Sequence, residues 1–485
     1  MAKKPNILFI MPDQLRADFL SCYGAKFIET PNIDSLCEGG VLYRNAYSPS
    51  PLCVPARAML LTGRNAVKNG ILDNNHWLRP DLSECGIKTW PEMLSEAGYF
   101  TAAIGKMHFY PWDLKHGFQH KVVCEDKRWL QIEDDYHEYL KANGYRKLHG
   151  NEHEGYQDNR GAIVSRLPWE FSWDHFVGME ASRFIREYDK EEPIAAMVGF
   201  PGPHCPYDPC QEFLDQIDVD AIPDSIPEVE GQTAKMRQSG VESNKQPWNG
   251  VDYTVFTEAQ KRKVRHHYAA LVKQIDHEVG EILKALRESG RLENTAIIFC
   301  SDHGDHLGDH NLIGKGNFYE SSTKVPLIAR GVGGGEGKVQ EGVASIEDIT
   351  ATLLSLGGCE VPAYADSMPL PGLGIPEEGN RTRVIGLLNG GWMCFDGEWK
   401  LVKYASEGSL LFNIKDDPQE QHNRIDDPAC AEIARRLDGE LAREVMRSVT
   451  AGHSDLVVAH TALYDEEGFG QPGWRRTYPQ GTKDR

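Results

Sequence analysis

The sequence predicts an α/β architecture: a large, mixed but mostly parallel sheet sandwiched by helices, followed by a smaller C-terminal α+β unit. Three observations carry this. Apolar runs at 7–11, 194–200 and 296–300 are short and uninterrupted, as strands buried on both faces of a parallel sheet must be. Each run ends in polar residues: Pro12-Asp13-Gln14, Pro203-His204-Cys205-Pro206 and Ser301-Asp302-His303. Open α/β sheets bind ligands beyond the carboxyl ends of their strands. Stretches of helical spacing lie between the runs.

Taken in order, residues 30–36 read as a helix entry, with Thr30 as cap and Pro31 in the first turn. The rigid loop Ser48-Pro49-Ser50-Pro51 leads into a helix through 58–61, which puts Cys53 near a helix N-terminus, where backbone N–H groups favour an anion. A helix at 89–97 and a strand at 99–104 deliver Gly105-Lys106-Met107-His108. Residues 121–168 are polar and irregular and read as an insertion. Residues 173–188 return to helical spacing, and 221–252, rich in Pro, Gly and polar residues, read as a long surface loop. The clearest amphipathic helix spans 264–286, with Tyr268, Leu271, Ile275, Val279 and Leu286 on one face and Gly290 ending it. One more helix is expected over 343–356.

A Pro- and Gly-rich loop at 362–379 sets the expected boundary between a catalytic unit, 1–375, and a small unit, 376–450. The small unit shows short strands, a hairpin signal at Asp396-Gly397 and a helix over 429–449. Residues 451–485 form a tail without periodicity. It holds Tyr464, Phe469, Trp474 and Tyr478, too many apolar groups for a solvated end. The tail is expected to pack on a neighbouring subunit of a homo-oligomer.

The 485 residues suggest two or three domains, and 40% apolar content supports a sizeable core. No apolar run approaches a membrane span. The basic start is followed by too short an apolar run for a signal peptide, so a cytoplasmic protein is expected. Eleven irregularly spaced cysteines argue for reduced thiols. A net charge of −20 disfavours nucleic acid and anionic membranes as partners.

Residues 53–57, Cys-Val-Pro-Ala-Arg, fit the pattern Cys-x-Pro-x-Arg and continue to Leu61-Thr62-Gly63-Arg64. At usage of ~5% per residue type, three fixed letters coincide about once in 8,000 positions, and four more bring the chance below roughly one in a million. Taken alone, Cys53 would be one more buried thiol; its flanking letters displace that reading. The stretch resembles the formylglycine signature of the sulfatase family, within the alkaline phosphatase superfamily, in which the cysteine is oxidised to an aldehyde. The resemblance covers nearly all of residues 5–420. It includes, in the family's order, Thr30-Pro31-Asn32, Gly105-Lys106-x-His108, Pro203-His204-x-Pro206, Ser301-Asp302-His303-Gly304 and Lys315.

The resemblance implies an alkaline phosphatase-like fold and hydrolysis of a sulfate monoester. A hydrated aldehyde carries two hydroxyls on one carbon: one attacks the ester sulfur, and the other, once deprotonated, collapses the covalent sulfo-enzyme hemiacetal and expels sulfate. The resemblance further implies one divalent metal, held by Asp13, Gln14, Asp302 and His303 beside Cys53, polarising the ester oxygens. Arg57 would pair with the aldehyde hydrate. Lys106 and Lys315 would meet the substrate's equatorial oxygens as compact charges. His108 matches the base that drives turnover. His204 would touch the substrate or its leaving group, with Lys315 as the other candidate acid. Asp73-Asn74 resembles a substrate-contact segment of the choline sulfatase branch, which makes Asn74 a candidate for substrate binding.

The chain departs from the commonest sulfatase pattern, two adjacent Asp early and Asp-Asn late. It has Asp-Gln and Asp-His, similar to the branch that holds phosphonate monoester hydrolases and choline sulfatase. An imidazole ligand moves the metal preference from Ca²⁺ towards Mn²⁺. The alternative activity is therefore the same machinery acting on phosphonate monoesters or phosphodiesters. A catalytically silent binding protein is disfavoured by the complete set of site residues. The implied partners are a small anionic ester and a formylglycine-generating maturation enzyme. With the chain so acidic, the site must be locally positive through a metal and a few basic residues. Pocket walls are expected from the loops near Asn74, from 136–156 and from the tail. His266, His267, His306 and His310 read as solvated or structural.

Overall fold

The structure is a computed structural model; it describes residues 4–452, apart from 127, 231, 376–380 and 406–407. The large sheet contains β1 (Asn6–Asp13), β2 (Val41–Tyr47), β3 (Phe100–Gly105), β4 (His120–Val123), β5 (Ile194–Pro203), β6 (Thr295–Cys300), β7 (Leu327–Arg330) and β8 (Lys338–Ser345). Its strand order is β4-β3-β5-β1-β6-β7-β2-β8. Every pairing is parallel except those of β7 with β6 and β2. The expected mixed, mostly parallel sheet is what forms.

Period-two alternation divides each central strand between two helical layers. Leu8 and Ile10 of β1 and Ala196 and Val198 of β5 enter one core, with Tyr268, Leu271, Ile275 and Val279 of the helix Glu258–Glu288. Ile7, Phe9, Met11, Ala195 and Met197 point the other way, against the helices Cys53–Thr62, Trp90–Glu96 and Asp348–Leu356. Both faces are covered, which is why the strands read as continuous apolar runs.

A second sheet joins β9 (Val384–Leu388), β10 (Gly391–Phe395), β11 (Trp399–Tyr404) and β12 (Gly408–Asn413) in the order β12-β11-β10-β9, all antiparallel. The helix Ala431–Ala451 covers one of its faces through Leu437 and Leu441. Phe318, Tyr319 and Tyr47 of the larger unit pack on the other. Lys400, fully buried on β11, bonds Glu320 at 2.8 Å and Glu420 at 2.6 Å and so ties the small sheet to the helix Glu320–Thr323 of the larger unit.

Four expectations are corrected. The helix expected over 343–356 begins only at Asp348, because Val343 and Ala344 belong to the edge strand β8. Residues 121–168 are not wholly irregular: β4 and the helix Asp135–Ala142 lie there or at its border. The expected surface loop at 221–252 contains the helix Ala234–Asn244. The amphipathic helix starts at Glu258, where Thr257 and Gln260 form a capping box. All but the first two residues of the 451–485 tail lie outside the described residues. Among the described residues no helix is long and apolar enough to cross a membrane.

Candidate active site

The carboxyl edge of the large sheet collects the polar ends of five neighbouring strands. In spatial order they bring Glu125 after β4, Lys106 and His108 after β3, His204 after β5, Asp13 on β1, and Asp302 and His303 after β6. The β3–β5 crossing is close enough that a Cβ on Gly105, whose φ is +100°, would collide with the carbonyl of Gly199. Glycine at both positions lets the Lys106 N–H bond that carbonyl at 2.8 Å.

Cys53 opens the helix Cys53–Thr62, preceded by an extended Leu52, so the sulfur sits at a helix N-terminus as expected. Ligand atoms of Asp13, Cys53, Asp302 and His303 all lie within 4.8 Å of one another, and all four residues are buried. His303 places Nδ1 3.0 Å from the Gly304 carbonyl oxygen, which leaves Nε2 facing the cluster. That Nε2 is 3.2 Å from the Cys53 sulfur, 3.7 Å from Asp302 Oδ1 and 3.9 Å from Asp13 Oδ1. Two carboxylates, an imidazole nitrogen and a sulfur converging on one point form a donor set that fits a divalent ion.

Arg57 braces this cluster from below. Its Nη2 bonds Asp13 Oδ2 at 3.0 Å, its Nε bonds Asp302 Oδ2 at 3.1 Å, and its Nη1 bonds the Lys106 carbonyl at 2.5 Å. Lys106 Nζ reaches the same Asp13 oxygen at 2.9 Å. Burial alone would raise the Asp13 carboxyl, but Lys106 and Arg57, both bonded to it, hold it well below the usual carboxylate range. Burial and Asp13 push the Cys53 thiol up, yet Lys315, His303 and Lys106 outweigh them and lower it. Lys106 and Arg57 thus bring positive charge against the buried carboxylates inside an acidic protein.

Gln14 carries a left-handed backbone, φ +72°, a strain of ~1–3 kcal/mol for a residue with a Cβ. Its N–H bonds Asp302 Oδ1 at 3.0 Å, and its carbonyl accepts the Tyr268 hydroxyl at 2.6 Å. Its side-chain amide donates to Asp305, and its carboxamide oxygen accepts from Lys315. Asp305 also takes the Tyr207 hydroxyl at 2.7 Å. It thereby fixes which end of the Gln14 amide faces the site.

Lys315 Nζ lies 2.7 Å from His204 Nε2, while His204 Nδ1 lies 2.8 Å from the Cys205 carbonyl oxygen. Burial, then Lys315, Arg128 and Lys106, lowers His204 well below the ordinary histidine value, so its ring is neutral. Burial and the neighbouring Lys106 and Arg57 do the same to His108. Asn74 Oδ1 accepts the Val54 N–H at 3.1 Å, satisfying an open donor in the first turn of the Cys53 helix. His306 is buried rather than solvated and bonds Ser321 at 2.7 Å and Asn317 at 2.8 Å.

Above the cluster opens a cavity of about 1290 Å³, lined near the chemistry by Cys53, Asn74, His108, His204 and Lys315. Its outer walls come from Trp77, from 123–138, from the helix Ala234–Asn244 with Trp248, and from Leu388 to Gly391 with Tyr404 of the small sheet. The wall is thus shifted from the expected 136–156 towards 123–138. The sequence reading missed Asp305, Tyr207, Glu125 and Arg128. Asp305 had a signal, its place in the run Asp302-His303-Gly304-Asp305; the others had none.

The family model described as Sulfatase matches residues 5–359. The chain belongs to the sulfatase family. An arylsulfatase of Clostridium perfringens is 34% identical over 400 residues, covering 78% of this chain and 80% of that protein. A choline-sulfatase of Rhizobium meliloti is 29% identical over 498 residues, covering 96% and 90%. Among solved structures, a phosphonate monoester hydrolase of Agrobacterium radiobacter superposes with a TM-score of 0.78 at 24% identity, covering 92% of this chain and 96% of that one. At that identity the likeness speaks for the fold.

Proposed function

We propose that this sulfatase-family enzyme hydrolyses a small sulfate monoester, with formylglycine formed from Cys53 as nucleophile and one divalent ion beside it. The observation that carries the reading is the buried convergence of Cys53 with Asp13, Asp302 and His303, braced by Arg57 and opening into the cavity. Asp13, Asp302 and His303 would hold the ion, with Gln14 adding the carboxamide oxygen that Asp305 orients. The ion, Mn²⁺ or Ca²⁺, would supply a Lewis acid, and the hydrated aldehyde a nucleophilic hydroxyl.

The chain's own residues account for binding and proton handling. Lys106 and Lys315 supply positive charge near Cys53 for the ester oxygens. Lys315 Nζ, 2.7 Å from His204 Nε2, is the candidate acid for the departing alkoxide. His108, kept neutral, can take the proton of the second hydroxyl of the hydrated aldehyde at turnover, so that the C=O re-forms as the bond to sulfate breaks. Asn74 holds the N-terminus of the Cys53 helix at the cavity floor and leaves its amide nitrogen for the organic group.

The same machinery serves a second reading, hydrolysis of phosphonate monoesters or phosphodiesters, favoured by the Asp13-Gln14 and Asp302-His303 pairs. Lys106 with His108 weighs towards sulfate, so sulfate is the main activity and phosphonate a side activity. Both esters carry one negative charge, and Coulomb attraction does not separate them. The test is kcat/KM on matched aryl sulfate and aryl phosphonate monoesters, whose ratio compares transition-state stabilisation directly. A higher value for the sulfate is expected; a clear preference for the phosphonate overturns the assignment.

A further inference from the structure

Glu125 carries no letter of the sulfatase signature, yet it reaches from the end of β4 to the loop that presents His108. Its Oε1 accepts the N–H groups of both Met107 and His108 at 3.1 Å. Its Oε2 is 3.3 Å from the His108 N–H nitrogen and 3.9 Å from the ring Nε2. The carboxylate is buried and is itself held. Its own N–H donates to Asp134 Oδ2 at 2.9 Å, and Lys147 fixes Asp134 from the other side at 2.7 Å.

The loop needs such an acceptor. His108 has φ +57°, a left-handed conformation that a residue with a Cβ avoids. Two consecutive N–H groups turned into the protein must find a partner there. Among the described residues the imidazole itself is held by little else: its Nδ1 is buried and finds no hydrogen-bond partner there. The direction of the ring into the cavity is therefore set by the backbone of the loop, and that backbone is set by Glu125.

We propose that Glu125 is a positioning residue for the reaction, holding His108 in its left-handed pose through the paired Met107 and His108 N–H bonds. The inference rests on the reading of His108 as the base that drives turnover. It assigns a role to 121–168, the region that the sequence presents only as an insertion: through Lys147, Asp134 and Glu125 it anchors the loop bearing His108.

The test compares Glu125→Ala, Glu125→Gln, His108→Ala and the double variant Glu125→Ala/His108→Ala, each matured at Cys53, on one aryl sulfate. Misplacing a proton-transfer group by about 1 Å costs of order a hundredfold. Glu125→Ala is expected to lose about a hundredfold in kcat with KM within about threefold, and to show a burst of up to one alcohol per site before slow turnover. Glu125→Gln keeps an oxygen for both N–H groups and removes the charge; it should stay within about fivefold of the parent. In the double variant the Glu125 change should add little to the His108 change, because one acts through the other.

An unchanged kcat in Glu125→Ala overturns the inference. So does a Glu125→Gln variant as slow as Glu125→Ala, which would make charge the operative property, and so do fully additive losses. If His108→Ala keeps full activity, the reading of His108 falls and the inference with it, while the claim for Cys53 is untouched. Should Glu125→Ala not fold, Glu125→Asp, which withdraws the acceptor by one methylene, is expected to lose about tenfold in kcat. An unaltered kcat there overturns the inference equally.

Discussion

Replacing Arg57 by alanine tests how the charges of the site are balanced. The guanidinium spans both carboxylates, at 3.0 Å to Asp13 and 3.1 Å to Asp302, and all three groups are buried. Its loss leaves Lys106 as the cation bonded to Asp13 and removes the cation from Asp302. Taking one partner from a buried pair destabilises by ~3–5 kcal/mol, because the other charge stays behind without compensation. A divalent ion held by the same carboxylates would replace the missing charge. The loss should then shrink to that of the hydrogen bonds alone, ~1.5–3 kcal/mol. The assay is urea unfolding after dialysis against a chelator and again with Mn²⁺ present. Peptide mapping at Cys53 is needed alongside, since Arg57 is also part of the Cys-x-Pro-x-Arg pattern. The expected result is a larger destabilisation without metal than with it. Equal losses in the two conditions, or a loss below ~1 kcal/mol without metal, would refute the reasoning.

Three further outcomes are expected. Asp276 accepts the Asn32 and Ile33 N–H groups at the entry of the helix Pro31–Glu38, and burial raises its carboxyl from the ordinary 3.8 to about 6. The folded state binds this proton more tightly, so stability should fall by about 3 kcal/mol as pH rises from about 4 through 6, and Asp276→Asn should flatten that slope in thermal unfolding. Lys400→Met strands Glu320 and Glu420 in the interior and should cost ~3–5 kcal/mol; adding Glu420→Gln should restore part of it, and an unchanged midpoint contradicts the pairing. Ending the chain after Gly452 should give monomers or insoluble protein by light scattering, if the apolar tail forms a subunit contact; unchanged size and activity refute that.

The sheet was legible where strands are buried on both faces. β1, β5 and β6 are apolar at every core position because helices cover each side, and β3 was found with a one-residue offset. β7 and β4 have four residues each, and the edge strand β8 alternates weakly over Lys-Val-Gln-Glu-Gly-Val-Ala-Ser; too little periodicity remains to separate it from the helix that follows. In the site, Cys53, Asp13, Asp302, His303, Lys106 and His204 stood out because they follow strand ends or carry a motif. Asp305 and Glu125 act on an amide and on backbone N–H groups supplied by distant segments. Such partners are fixed only once the strands are ordered. The cavity walls were hidden for the same reason: they come from helix 234–244 and from the small sheet, each brought in by packing between parts of the chain far apart in sequence.

The claim on which the rest depends is that Cys53 becomes the nucleophile by oxidation. Peptide mass spectrometry on an active preparation measures this directly. The account predicts that the peptide containing residues 53–57 carries the aldehyde, in a fraction that tracks specific activity, and that Cys53→Ala abolishes turnover. A fully active preparation with only unmodified cysteine at position 53 would contradict it.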